Sequence, residues 1–189
     1  ALCGALTQLV CGITIGRKRY ASVDAEMRAI SARAAELVAA LSALADADAN
    51  ACAEVRHAYN LPHDTEQKAT AQAAAIAHAM RHATDVPLEI ARRSAEACQL
   101  AATVAEKGNA VAMADVTVAA LLAEASCRGA AYTVRLNVSA LGDDALASRY
   151  VSEVLDLTRQ AAIDAARAVS HVDQELAGIA VTPTDSPPQ

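Results

Sequence analysis

The sequence predicts an all-α protein built as a multi-helix up-and-down bundle, and three observations point there. Hydrophobic residues make up 54% of the 189 residues while aromatics make up only 2%, all tyrosine, so Ala, Leu, Val and Ile must fill the interior. Alanine at this density favours helix and lets helices approach closely. Apolar residues recur at spacings of three and four, as in Leu37, Leu41, Leu44, then Asp48, then Ala51 or Cys52, Val55 and Tyr59, which is the pattern of one helix face. The five Pro and seven Gly fall mainly between such segments or in the tail.

The elements follow in order. A first helix runs to about Ile15 and stops at Gly16. Residues 1–16 are apolar and precede Arg17-Lys18-Arg19. They are too short to span a bilayer comfortably and lack the basic leading region of a signal peptide, so they read as a buried helix. Ser22 or Asp24 can cap a second helix that continues to Tyr59 and is broken at Pro62. Asp64 or Thr65 caps a third, with Glu66 in its first turn complementing the dipole. It reaches Ala83, and Pro87 predicts a kink or restart near Asp85 before helix continues to Ala105. After the break at Glu106-Lys107-Gly108-Asn109, residues 111–122 are apolar around the whole circumference, which predicts a central, fully enclosed helix. Asp115 is the one ionisable residue of that run and is expected to be buried. The rod ends at Gly142-Asp143-Asp144, and a last helix carries Leu146, Tyr150, Val154, Leu157, Ala161 and Ala168. One domain over residues 1–178 is expected, followed by a disordered tail over 179–189.

The net charge of −6 argues against nucleic acid as a partner, since no basic stripe interleaved with aromatics offsets it. Cys3, Cys11, Cys52, Cys98 and Cys127 are odd in number and form no CxxC pair, so they read as small core residues in a reducing cytoplasm. No membrane association is expected. The sequence carries no glycine-rich phosphate loop, GxSxG, HExxH or internal repeat.

Among candidate functional residues, Asp48 stands out because it occupies a position of the apolar stripe while Asp46 and Asn50 point elsewhere. A carboxylate facing a bundle interior must find hydrogen bonds, pair with a cation or take up a proton. It is therefore either a structural acid or a group poised for acid/base work. Asp115 points into the bundle from a second helix. His78 and His82 stand four apart but lack a visible third ligand, and Arg81 would repel a cation, so no metal site is expected. His57 and His63 flank the Tyr59–Pro62 break and can reach a pocket there or lie at the surface. Asn109 is placed to cap the central helix, or to help its backbone donors hold an anion. Arg17, Lys18 and Arg19 are a solvated turn or, in an acidic protein, the docking point for an anionic ligand. Asn137, among Leu136 and Val138, needs a partner inside, structural or ligand.

Five segments in register give these residues a context: Thr14-Ile15-Gly16-Arg17-Lys18-Arg19-Tyr20, Asp46-Ala47-Asp48-Ala49, Tyr59-Asn60-Leu61-Pro62, Ala83-Thr84-Asp85-Val86-Pro87-Leu88, and Ala105-Glu106-Lys107-Gly108-Asn109 through Asp115. Their order and spacing resemble the cyclodeaminase/cyclohydrolase family, which includes the cyclodeaminase half of formiminotransferase-cyclodeaminase and stand-alone methenyltetrahydrofolate cyclohydrolases. The likeness extends to about Ala161. It implies a helical, intertwined homodimer that processes the one-carbon unit on N5 and N10 of tetrahydrofolate, with the folate as substrate and no further cofactor. It puts the catalytic aspartate at Asp48. Asp115 would then orient the pterin or stabilise the cationic centre, and Arg17, Lys18 and Arg19 would hold the glutamate tail. Asn109, Asn137 and His63 would be further substrate contacts. The family's T-P-G-G-G segment precedes the first helix, and the chain begins after it. Lys is common in the family where this chain has His63, Ser where it has Ala114, Asn where it has Thr133 and Lys where it has Ser139. The competing expectation is a non-catalytic helical dimerisation or ligand-binding module of the same fold.

Overall fold

The computed structural model describes residues 1–178, all helical apart from short connections; the predicted tail lies outside the described residues. Among the described residues five helices follow one another: α1 (Leu2–Thr14), α2 (Asp24–Tyr59), α3 (Glu66–Lys107), α4 (Met113–Asn137) and α5 (Asp144–Gly178), with single 3-10 turns at Ala110–Ala112 and Val138–Ala140 and a 3-10 stretch at Lys18–Val23 that is kinked at Tyr20. The connections are short and consecutive helices run in opposite directions, α1 and α2 included, since Gly16 meets Asp24 while Gly4 meets Ala34 and Val38. α3 is the hub and packs against all four others.

The caps explain where the helices start and stop. Gly16 has φ +77°, a left-handed conformation open to glycine. Its N–H donates to Asp24 Oδ1 at 2.6 Å, and Arg28 Nε donates to the other oxygen. These donors, Gly16 first, hold the Asp24 carboxyl below its ordinary range. Asp24 thus ties the α1 stop to the α2 start. The α3 cap is Thr65, whose Oγ1 accepts from Lys68 N at 3.3 Å, and Asp143 Oδ1 accepts from Leu146 N at 2.9 Å to start α5.

No restart occurs at Asp85. α3 is one helix of 42 residues with Pro87 inside it. Proline cannot donate to the carbonyl four residues back, which here is Ala83, and Asn137 Nδ2 donates to that oxygen at 2.6 Å instead. The freed carbonyl is satisfied by the end of α4, so the break that proline threatens is avoided. Replacing Asn137 with Leu is expected to cost about 1–3 kcal/mol by orphaning that carbonyl, read as a lower urea midpoint.

The core is made of small residues, as composition requires. Ala91, Cys98, Ala101 and Ala102 of α3 meet Ala119, Ala120, Ala123 and Cys127 of α4 and Ala161, Ala165 and Ala168 of α5. Cys98 Sγ donates to Ala120 O at 3.4 Å and Ala161 O at 3.3 Å, joining the three helices. Burial pushes the Cys98 thiol up to about 12 and those of Cys11 and Cys127 up to about 11. Four cysteines are core residues as expected; Cys52 is exposed, because it sits on α2 beside, not on, the buried row. One thiol per chain should react with a disulfide reagent in the folded protein and five after unfolding, which a colorimetric titration counts.

The central helix departs from expectation. Only 33% of the most apolar stretch of Ala110–Ala140 is buried. One face, including Val116, Ala119, Ala120, Ala123, Cys127 and Val134, is buried. The opposite face carries Val118, Leu121, Leu122, Tyr132 and Leu136 exposed. By length and composition this stretch could cross a bilayer, but its buried face packs into α1, α3 and α5.

Candidate active site

Asp48 lies on the inner face of α2, in the row continued by Leu44, Ala51 and Val55, which pack with Ala83 and Val86 of α3. It is half-buried. No hydrogen bond or ion pair holds its carboxylate among the described residues, and it lines none of the cavities described below. Asp46 and Asn50 are exposed. Asp115, expected to be buried, is instead half-buried. It stands in the first turn of α4, flanking the exposed apolar face.

The two carboxylates are not brought together within one chain. Asn137 is bonded to Ala83, and Ala51 packs against Ala83 and Val86, so Asp48 is level with the last turns of α4. Asp115 is at the opposite end of that helix. At about 1.5 Å of rise per residue, roughly 25 Å along the bundle axis separates them.

Around Asp115 the end of the bundle is built by the loops after α1 and α3. Asn109 Oδ1 accepts from Val111 N at 3.1 Å and its Nδ2 donates to Ile13 O at 3.1 Å. Its backbone N–H donates to Thr14 Oγ1 at 2.9 Å, and Ala110 N donates to Tyr20 OH at 3.2 Å. Asn109 is thus a cap that also locks the basic loop against α4. Arg17 and Arg19 line an open cavity of about 510 Å³ with Ile13, Tyr20, Asn109 and Val111. Arg17, Lys18 and Arg19 are exposed, and none has a carboxylate partner among the described residues. Their charge is available to an anion.

At the other end, one N–H of the Asn137 amide is given to Ala83 O, leaving the second N–H and the amide oxygen for a ligand. His63 is exposed beyond the end of α2, its Nδ1 3.3 Å from Leu61 O, and so stands roughly 16 Å or more past Asp48 along the axis. His82 Nδ1 meets Glu54 Oε2 at 2.8 Å, while His57 and His78 line an open groove between α2 and α3. The Thr133 and Ser139 hydroxyls donate to Gly129 O and Leu136 O, and Ala114 is exposed.

Two polar features escaped the sequence reading. Asp164 is 1% exposed and is held by Arg167 Nη1 at 2.7 Å and Gln160 Nε2 at 3.1 Å. Its signal was present, since it sits between Ala161 and Ala168 on the stripe of α5 just as Asp48 does on α2. The second is Tyr150, whose hydroxyl donates to Asp85 Oδ1. Burial, and then that carboxylate, push the phenol up to about 12. The pair lines a cavity of about 390 Å³ with Glu89, Arg92, Arg149 and Glu153. It joins residues 65 apart in sequence, which no spacing rule predicts.

The family model for formiminotransferase-cyclodeaminase matches residues 1–156. A methenyltetrahydrofolate cyclohydrolase of Methylorubrum extorquens is 38% identical over 85% of this chain and 77% of its own length. The formimidoyltransferase-cyclodeaminase of Sus scrofa is 31% identical over 92% of this chain but only 32% of its own length, so this chain spans about a third of it. The crystal structure of formiminotetrahydrofolate cyclodeaminase from Thermotoga maritima superposes with a TM-score of 0.81, covering 92% of this chain and 83% of that one at 23% identity, which is a likeness of fold. Matched by family model and by relatives above 30% identity, the chain belongs to the formiminotransferase-cyclodeaminase family.

Proposed function

We propose that this chain is a folate one-carbon enzyme that hydrolyses the methenyl bridge of 5,10-methenyltetrahydrofolate. The observation that carries this reading is the cyclohydrolase relative, matched over 77% of its own length at 38% identity. Formimidoyltetrahydrofolate cyclodeamination is the second reading, favoured by the 31% identity to the Sus scrofa protein. A non-catalytic module of the same fold has no observation in its favour. In this reading the folate is the substrate and no other cofactor takes part. The protein acts in the cytoplasm as a homodimer, supported by five free thiols and by the exposed apolar face of α4.

Hydrolysis needs a group to accept a proton from water as it adds to the cationic methenyl carbon, and to return one to N5 as the C–N5 bond breaks. One water proton ends on N5 and the other is released, giving 10-formyltetrahydrofolate. Asp48 is assigned that transfer, because it faces inward with no structural partner to neutralise it. Asp115 lies roughly 25 Å from Asp48 within one chain, so it meets the same folate from the second copy of the homodimer and there stabilises the cationic amidinium, while Arg17, Lys18 and Arg19 hold the glutamate tail and Asn109, Asn137 and His63 are further contacts. Cyclodeamination uses the same acid differently: N10 attacks the formimino carbon, and the departing ammonia takes the proton. Product analysis separates the two activities. Formation of 10-formyltetrahydrofolate from the methenyl compound above the spontaneous level supports the first reading, and ammonia release from 5-formiminotetrahydrofolate supports the second. Neither product above background would overturn both.

A further inference from the structure

We propose that the cavity between α3 and α5 binds a free α-amino acid with an apolar side chain, its ammonium on Asp85 and its carboxylate on Arg149. The cavity is walled by α3 and α5, away from the face of α3 that Ala83 and Val86 turn to the Asp48 row of α2. The proposal does not depend on folate chemistry.

Most of the charge on the walls is already spent. Arg92 of α3 donates to Glu153 of α5 at 2.6 Å and to Glu89 at 3.2 Å, and Glu89 also accepts from Arg93 at 2.7 Å. One charge of each sign is left over, on opposite walls. Asp85, on α3, accepts the Tyr150 hydroxyl on Oδ1 and has no partner on Oδ2 among the described residues. Arg149, on α5, lines the same cavity and has no carboxylate partner among them. The two do not pair with each other. Tyr150 is 8% exposed, and its phenol, pushed up to about 12, stays protonated and goes on donating, which holds the Asp85 side chain in place across the cavity.

The ligand class follows from what this lining accepts and rejects. A phosphate or other polyanion would meet three carboxylates, Asp85, Glu89 and Glu153, and a simple cation would meet two guanidiniums, so both are disfavoured. A zwitterion meets each leftover charge with its opposite, through hydrogen bonds that are strong because both members are ionised. The floor is apolar. Leu88 is 4% exposed, and Leu146 packs beside it on the cluster that holds Val134 and Val154, so an aliphatic side chain laid there leaves water. At about 390 Å³ the cavity falls in the range of small-molecule sites, roughly 300–1,000 Å³.

The test is calorimetric titration of the full chain with L-leucine, beside L-leucinamide, which lacks the carboxylate, and N-acetyl-L-leucine, which lacks the ammonium. L-leucine is expected to bind saturably, one per chain, and each analogue at least about tenfold more weakly. Arg149→Gln should weaken L-leucine at least about tenfold and leave L-leucinamide as in the wild type. Asp85→Asn keeps an oxygen for the Tyr150 hydroxyl; it should weaken L-leucine and leave N-acetyl-L-leucine unchanged. Arg149 is exposed and unpaired, so its variant tests the proposal even if the Asp85 variant is unstable. No saturable heat with L-leucine at millimolar concentration would overturn the proposal, as would equal binding of either analogue or affinity unchanged in Arg149→Gln. Turnover of the methenyl compound lost in Arg149→Gln would put the cavity in the folate site and overturn it too.

Discussion

Asp48→Asn is expected to lower turnover by at least about a hundredfold, the size of a general acid/base contribution, with the far-ultraviolet helical signal unchanged. The substitution keeps shape and removes only the charge and the titratable proton. It breaks no structural bond, because among the described residues nothing donates to the Asp48 carboxylate. Asp24 and Asp164 provide the contrast. Each is held by two or more donors, so the same substitution there should reduce stability with little direct effect on chemistry. Near-normal turnover in Asp48→Asn would take this residue out of the mechanism.

Gly108→Ala is expected to cost about 1–3 kcal/mol, typical of overpacking, and to lower the thermal midpoint by several degrees. A Cβ at this position would lie 2.6 Å from Val104 O and 3.2 Å from Val10 Cγ1. The first contact is with backbone that already accepts the Gly108 N–H at 2.7 Å, so relief requires the end of α3 to move. That end carries Asn109, which is bonded to Val111, Ile13 and Thr14. The loss of stability should therefore come with a weakened anchor for the basic loop. A calorimetric scan that leaves the midpoint unchanged would contradict the close approach.

Much of the fold was legible because helices announce themselves locally. The stops at Gly16, Tyr59 and Lys107 follow from glycine, proline and capping residues within a few positions. The continuity of α3 through Pro87 was not, since it depends on Asn137 arriving from another helix. The enclosed reading of α4 failed for a related reason: an all-apolar circumference tells how much surface avoids water, not which molecule covers it. At the site, periodicity placed Asp48 on the inner face of α2. It could not give the distance to Asp115, which depends on the antiparallel run of α3 and the register set by Ala51, Ala83 and Asn137. The acid at 164 lay on an equally regular stripe but was hidden by the polar residues around it.

The most direct measurement is the loss of methenyltetrahydrofolate absorbance with the protein in excess, wild type beside Asp48→Asn. The account predicts decay with the wild type well above the spontaneous rate, and a return towards that rate in the variant. Wild-type protein that leaves the chromophore decaying at the spontaneous rate, and that raises no absorbance from 5-formiminotetrahydrofolate, would contradict it.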